Sequence, residues 1–148
     1  MNNELYQEVL LQHSKRPKNF GTMEHPSHVM EGYNALCGDE IFVMLQIVDG
    51  KVADVKFTGS SCAICTASAS IMTHAIKGLS CELIEQLTEK FRHLAKEGTA
   101  TDLPPTMMVL GGVHQYPQRV KCAILPWETL IAALNPSTSQ PLNPSTAT

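Results

Sequence analysis

The chain lacks an excess of charge of either sign, a long apolar run and an even set of cysteines. Eleven basic and 14 acidic residues leave a formal charge of −3 over 148 residues. That near balance gives no electrostatic case for nucleic acid or for an anionic membrane surface. No stretch reaches the roughly 18 consecutive apolar residues that a membrane span needs. The start, Met1-Asn2-Asn3-Glu4-Leu5, lacks the basic and apolar regions of a signal peptide. A reducing, cytoplasmic setting is therefore expected. Five cysteines cannot all pair, and in a reducing compartment cysteines serve metal or redox chemistry more often than structural disulfides.

What is present suits one domain. An apolar fraction of 43% is enough for a core. The expected domain spans residues 1–134. Residues 135–148 are rich in Pro, Ser and Thr, with Leu142 as the one core-forming residue, and read as a disordered tail.

The most informative stretch runs from Phe57 to Ser70. Val55 and Phe57 alternate with Lys56 and Thr58, the period of a half-buried strand. Gly59 is expected to let the chain turn sharply, with Ser60 or Ser61 capping a helix that runs to Lys77 and stops at Gly78. Cys62 then lies beside the first N–H groups of that helix, where a thiolate is favoured. The run Ala67-Ser68-Ala69-Ser70 has so little bulk that another segment can approach closely.

Around this stretch the rest falls into place. A first helix is expected from Asn2 or Asn3 to about Ser14, with His13 solvated or capping its end. His28–Tyr33 reads as a short edge strand. His25 and His28 have the spacing of a metal pair, but Pro26 between them favours a plain loop. Glu40–Val48 alternates Ile41, Val43, Leu45 and Ile47 with a second, mostly apolar face, so both faces are expected to be covered. Asp49-Gly50 is a hairpin signal, and Lys51–Thr58 returns as the partner strand. A helix capped by Ser80 carries the stripe Leu83, Ile84, Leu87, Phe91 and Leu94 and ends at Gly98. His74 reads as partly buried, and Cys81 as a bystander. Met107–Val113 is expected as a short helix or turn. Pro126 is expected to begin or bend a last helix through Leu134, with Trp127, Leu130 and Ile131 on its core face.

This order places candidate ligands together. Cys37-Gly38-Asp39 precedes the first long strand and Cys62 follows the second. In an antiparallel hairpin those positions share one end of the sheet. Cys37, Asp39 and Cys62 therefore converge by topology. Cys122 follows Arg119 and Lys121, basic neighbours that would lower a thiol pKa. Three readings fit these residues. Cys62-Ala63-Ile64-Cys65 is a Cys-x-x-Cys pair at a strand-to-helix junction, as in thiol–disulfide oxidoreductases, although a hairpin rather than a βαβ unit precedes it. A structural zinc module is a second reading, without the paired knuckles that mark one. A sulfur-handling or cluster-building site of three cysteines and one aspartate is the third.

Three segments carry a family resemblance: Cys37-Gly38-Asp39, Gly59 to Ser70, and Arg119-Val120-Lys121-Cys122-Ala123-Ile124-Leu125-Pro126-Trp127. In this order and at these separations, the chain from about Tyr6 to Leu134 resembles the iron–sulfur cluster assembly proteins of the IscU and NifU N-terminal class. The long interval between Cys62 and Cys122, and Lys121 where the IscU branch has histidine, make it most similar to the SufU branch. His114 does not occupy that histidine position. The resemblance implies an α+β fold, a small antiparallel sheet of about three strands with helices packed on one face. It implies one zinc ion held by Cys37, Asp39, Cys62 and Cys122, with Arg119, Lys121 and Cys65 as accessory candidates. It further implies a SufS-like, pyridoxal-phosphate-dependent cysteine desulfurase as partner, with Cys37 accepting persulfide sulfur for a downstream scaffold or apo acceptor. In the scaffold branch the same ligands hold a [2Fe–2S] cluster instead. Two positions depart from the pattern. Ala35 stands where proline is usual, and Cys65 stands where serine is common. An oxidised Cys62–Cys65 disulfide is one expectation for that extra thiol.

Overall fold

The computed structural model describes residues 3–135; the tail expected at 135–148 lies, after Asn135, outside them. The order is α1 (Asn3–Lys15), β1 (His28–Asn34), β2 (Asp39–Val48), β3 (Lys51–Ser60), α2 (Ala63–Ile76), α3 (Cys81–Glu97), α4 (Pro105–Met108), a 3-10 helix (Gly111–Gln115) and α5 (Pro117–Leu134). The strands form one antiparallel sheet in the order β1-β2-β3, and α2 and α5 pack against it.

Local chemistry explains the elements. Asp49 and Gly50 both hold positive φ, 53° and 74°, as the tight hairpin between β2 and β3 requires. Ile41, Val43, Leu45, Val55 and Phe57 are buried. Met44 on the opposite side of β2 is buried as well and Phe42 half-buried, so the second face is partly covered, as its apolar composition suggested. Asn19 and Gly21 pair with the free edge of β3 through Phe57 N–H to Asn19 O (3.1 Å) and Gly21 N–H to Phe57 O (2.9 Å). The rings of Phe20 and Phe57 meet edge to face at 5.3 Å. The unpaired strand edge is thereby partly covered.

Gly59 has a different role from the expected one. β3 continues through it to Ser60, opposite Glu40. A Cβ at Gly59 would lie 2.1 Å from the Glu40 carbonyl oxygen, and its φ is +145°. The glycine therefore permits close approach of two backbones, and the change of direction comes only at Ser61 and Cys62.

The helices interlock behind the sheet. α3 is capped by the Ser80 hydroxyl, which accepts from Leu83 N–H (3.2 Å), and it ends at Gly98 in the left-handed conformation. Ile84, Phe91 and Leu94 are buried, whereas Leu83, expected in the same stripe, is exposed. Phe91 stacks on the fully buried Trp127 at 4.7 Å between centroids. α5 begins at Pro117, not at Pro126, because proline at the first helical turn sacrifices no helical hydrogen bond. Pro126 lies inside α5, where its missing N–H leaves the Cys122 carbonyl without its usual helical partner. The small residues of α2 admit α5, and Ser68 donates its hydroxyl to the Ala123 carbonyl at 2.5 Å.

α1 is fastened through a polar seam. His13 is buried rather than solvated, and its Nδ1 lies 2.7 Å from Ser70 Oγ. Ser70 Oγ also accepts from Lys18 N–H (2.8 Å). A neutral imidazole completes this arrangement by accepting the Ser70 hydroxyl proton. His74, expected to be partly buried, is exposed. Burial, Lys18 and His74 hold the His13 pKa below its ordinary 6.5. Below pH 6.5 the unfolded chain therefore binds a proton at this position that the folded chain resists, so stability falls as pH drops toward the folded value. Urea midpoints measured between about pH 7 and pH 5 should decline with acid, and His13→Gln should flatten that decline.

Candidate metal centre

Three segments deliver the site. The first is the loop joining β1 to β2. Asn34 pairs with Asp39 across its mouth, and residues 35–38 form an exposed tip. Gly38 holds φ +72°, a conformation that a side chain would resist. It turns Cys37 and Asp39 toward one point. Cys37 is exposed, and Asp39, the first residue of β2, is fully buried.

The second segment is the start of α2. Here Cys62 itself is the N-cap, in place of the expected Ser60 or Ser61. Its sulfur accepts from Cys65 N–H at 3.4 Å. Asp39 Oδ1 accepts the Cys62 backbone N–H at 2.8 Å. The carboxylate thus sits at the positive end of α2 and links the loop to the helix. Ser61 Oγ turns instead to Thr66 Oγ1 at 2.9 Å.

The third segment is α5. Cys122 is 2% exposed, and its sulfur lies 3.1 Å from that of Cys37. Asn34 Nδ2 donates to Cys122 Sγ at 3.8 Å. Burial first, then hydrogen bonding with Cys37, Asp39 and Cys62, pushes the Cys122 thiol pKa up. The expected lowering by Arg119 and Lys121 does not occur. Both are exposed. Arg119 lies over the Tyr116 ring at 4.6 Å, and Lys121 lines a cavity of about 610 Å³ with Asn34, Lys96, His114 and Glu128. Burial of the sulfur outweighs cations that water screens.

Cys37, Asp39 and Cys122 offer ligand atoms all within 4.8 Å of one another, the one such group among the described residues. Cys62 lies outside that tight set but adjoins it through Asp39, whose Oδ1 accepts its backbone N–H. Asp39 Oδ2 is buried without a hydrogen-bond partner. A buried carboxylate oxygen in that state is costly, and a cation beside it offsets the cost. Soft sulfurs with one carboxylate are a donor set that zinc accepts. The residues present therefore fit a metal ion.

Cys65 does not join the group. It is fully buried in the core, and burial pushes its thiol pKa up. Cys81 is half-buried at the start of α3, and His25 and His28 lie outside the group. His28 Nδ1 lies instead 2.9 Å from Ser27 Oγ. Sequence reasoning overlooked Asn34. Its signal was present, since asparagine two residues before an exposed loop tip commonly bonds back to that loop.

The chain is similar to several known proteins. The chain is 37% identical to the iron–sulfur cluster assembly scaffold protein IscU of Thermotoga maritima, over 88% of this chain and 92% of that protein. It is also 37% identical to the zinc-dependent sulfurtransferase SufU of Bacillus subtilis, over 85% of this chain and 86% of that protein. A crystal structure from the thermophile Fervidobacterium islandicum AW-1, described as a candidate iron–sulfur cluster assembly scaffold protein for the SUF system, superposes with a TM-score of 0.81. It shares 33% identity, over 90% of this chain and 99% of that one. The NifU-like N terminal domain family matches residues 5–136. The chain belongs to the NifU-like N-terminal domain family.

Proposed function

We propose that this protein is a zinc-bound sulfur acceptor in iron–sulfur cluster assembly, taking persulfide sulfur from a cysteine desulfurase. The observation that carries the reading is the contrast within the group. The exposed Cys37 sulfur lies 3.1 Å from a sulfur that is itself buried, beside a buried carboxylate with an unsatisfied oxygen. Cys37, Asp39, Cys62 and Cys122 would hold the zinc ion. When bound, zinc keeps its thiol ligands deprotonated and masks them from adventitious reaction.

The transfer itself belongs to Cys37. Its thiolate attacks the terminal sulfur of the partner's cysteine persulfide. The partner's S–S bond breaks, the partner's cysteine leaves as a thiolate, and Cys37 carries the persulfide. Cys37 suits this role because it stands at an exposed loop tip, where a second protein can reach it. The partner would be a SufS-like, pyridoxal-phosphate-dependent enzyme, and the sulfur would pass on to a scaffold or apo acceptor. Five free thiols in the chain suit the reducing cytoplasm. No helix among the described residues is long and apolar enough to cross a membrane.

Asp39 supports a second reading, a scaffold that builds and releases a [2Fe–2S] cluster. A carboxylate among thiolates weakens commitment to soft ligation, which suits cargo that must leave. A thiol–disulfide oxidoreductase is the weaker reading, because Cys65 is sealed in the core and the preceding strands form an antiparallel hairpin.

Elemental analysis of protein purified without added metal should give about one zinc per chain. Mixed with a desulfurase and cysteine, the parent should raise turnover while keeping its zinc, and Cys37→Ala should abolish the rise. A cluster assembled on the chain and passed to an apo acceptor would instead establish the scaffold. In that case Asp39→Ala should lengthen the lifetime of the bound cluster, followed by its visible absorbance. When the metal-free protein is oxidised, peptide mapping should find Cys37 joined to Cys122, whose sulfurs already touch. A Cys62–Cys65 disulfide would instead favour the oxidoreductase.

A further inference from the structure

We infer that Asn34 is a positioning residue of the metal centre, which makes Cys122 a retained ligand and leaves Cys37 as the exchangeable one. The inference rests on the metal-binding reading above. Asn34 is the last residue of β1 and is half-buried at the mouth of the Cys37 loop, with its backbone paired to Asp39. Its side chain faces both ways. Oδ1 accepts Leu36 N–H at 3.2 Å, which holds the loop tip in a turn. Nδ2 donates to Cys122 Sγ at 3.8 Å, across 88 residues of chain. One amide thus joins the loop that carries Cys37 to the helix that carries Cys122.

The three sulfurs are treated unequally. Cys62 accepts an N–H from the backbone of Cys65. Cys122 accepts an N–H from Asn34. Cys37 accepts no N–H among the described residues; its partner is the thiol of Cys122, and that proton is lost once both sulfurs bind metal. An N–H directed at a thiolate stabilises its charge and restrains its nucleophilicity. Two sulfurs are therefore anchored by amide donors, and the third, exposed and without one, is free to leave. Asn34 supplies the donor that separates Cys122 from Cys37.

Asn34→Ser separates the two halves of the amide. A serine hydroxyl can still accept Leu36 N–H in a local turn, but it is too short to reach Cys122. With zinc, chelator competition should show a loss of about tenfold in affinity. With cobalt in place of zinc, the sulfur-to-metal absorption should move to longer wavelength, because an unrestrained thiolate donates charge more readily. Iodoacetamide treatment of the zinc-loaded protein, mapped by mass spectrometry, should mark Cys37 in the parent and both Cys37 and Cys122 in the variant. Asn34→Asp, which keeps the acceptor and removes the donor, should give the same alkylation pattern should Asn34→Ser fold poorly. A cobalt spectrum and zinc affinity unchanged in a folded variant, with alkylation of the pair Cys37 and Cys122 still confined to Cys37, would overturn the inference. A parent chain that takes up neither metal would overturn the metal-binding reading itself, a result distinct from a parent that binds and a variant that matches it.

Discussion

The buried carboxylate of Asp39 is the constraint on which the site depends. It begins β2 and carries no solvent exposure, so its charge needs compensation from the protein. One oxygen receives that from the Cys62 N–H at the start of α2, a donor that the helix itself cannot satisfy. The link fixes where α2 begins and therefore where the Cys62 sulfur sits. The other oxygen has no hydrogen-bond partner. A group that is half satisfied in this way is expensive for folding alone, and the expense is intelligible at a place that receives a cation.

The second constraint is the distance between α2 and α5. Four consecutive residues of α2, Ala67 to Ser70, are small and buried. They allow α5 to approach until Ser68 reaches the Ala123 carbonyl, one residue beyond Cys122. That bond, worth about 1 kcal/mol, sets the depth at which α5 presents Cys122. Large side chains in α2 would hold α5 away and separate Cys122 from Cys37. Gly59 plays a similar part at the sheet, since a Cβ there would push β3 from β2 just before Cys62. The metal group is thus assembled by close backbone approaches rather than by a rigid loop, consistent with alanine at position 35.

Several features were legible in the sequence because they depend on neighbours in the chain. The Asp49-Gly50 hairpin, the Ser80 cap and the Gly98 stop all follow from local backbone chemistry. The proximity of Asp39 to Cys62 was readable as well, because one hairpin brings both its open ends to the same edge, whereas the tight group joins Cys37 and Asp39 to Cys122 on α5 and leaves Cys62 beside it. Misreadings arose where a long-range contact overrode a local preference. Ser60 and Ser61 are good caps in isolation, but the Asp39 carboxylate draws α2 to start after Cys62. His13 looked solvated at a helix end until Ser70 and Lys18, more than fifty and five residues away respectively, enclosed it. Pro126 read as beginning or bending the last helix, and of these the start belongs to Pro117, with Pro126 inside α5.

The residues of the chain by themselves determined the elements, their order and the chemical character of the site: thiols with one carboxylate, on a glycine-bearing loop and at a helix start. These rest on interactions between positions a few residues apart, which spacing and residue type reveal directly. The tertiary structure alone decided that Cys122 is sealed while Cys37 is open, that Cys65 is buried in the core, and that Asn34 reaches a sulfur on another element. Each of those is a question of which surfaces are withdrawn from water when helix meets sheet, and burial of that kind has no period along the chain.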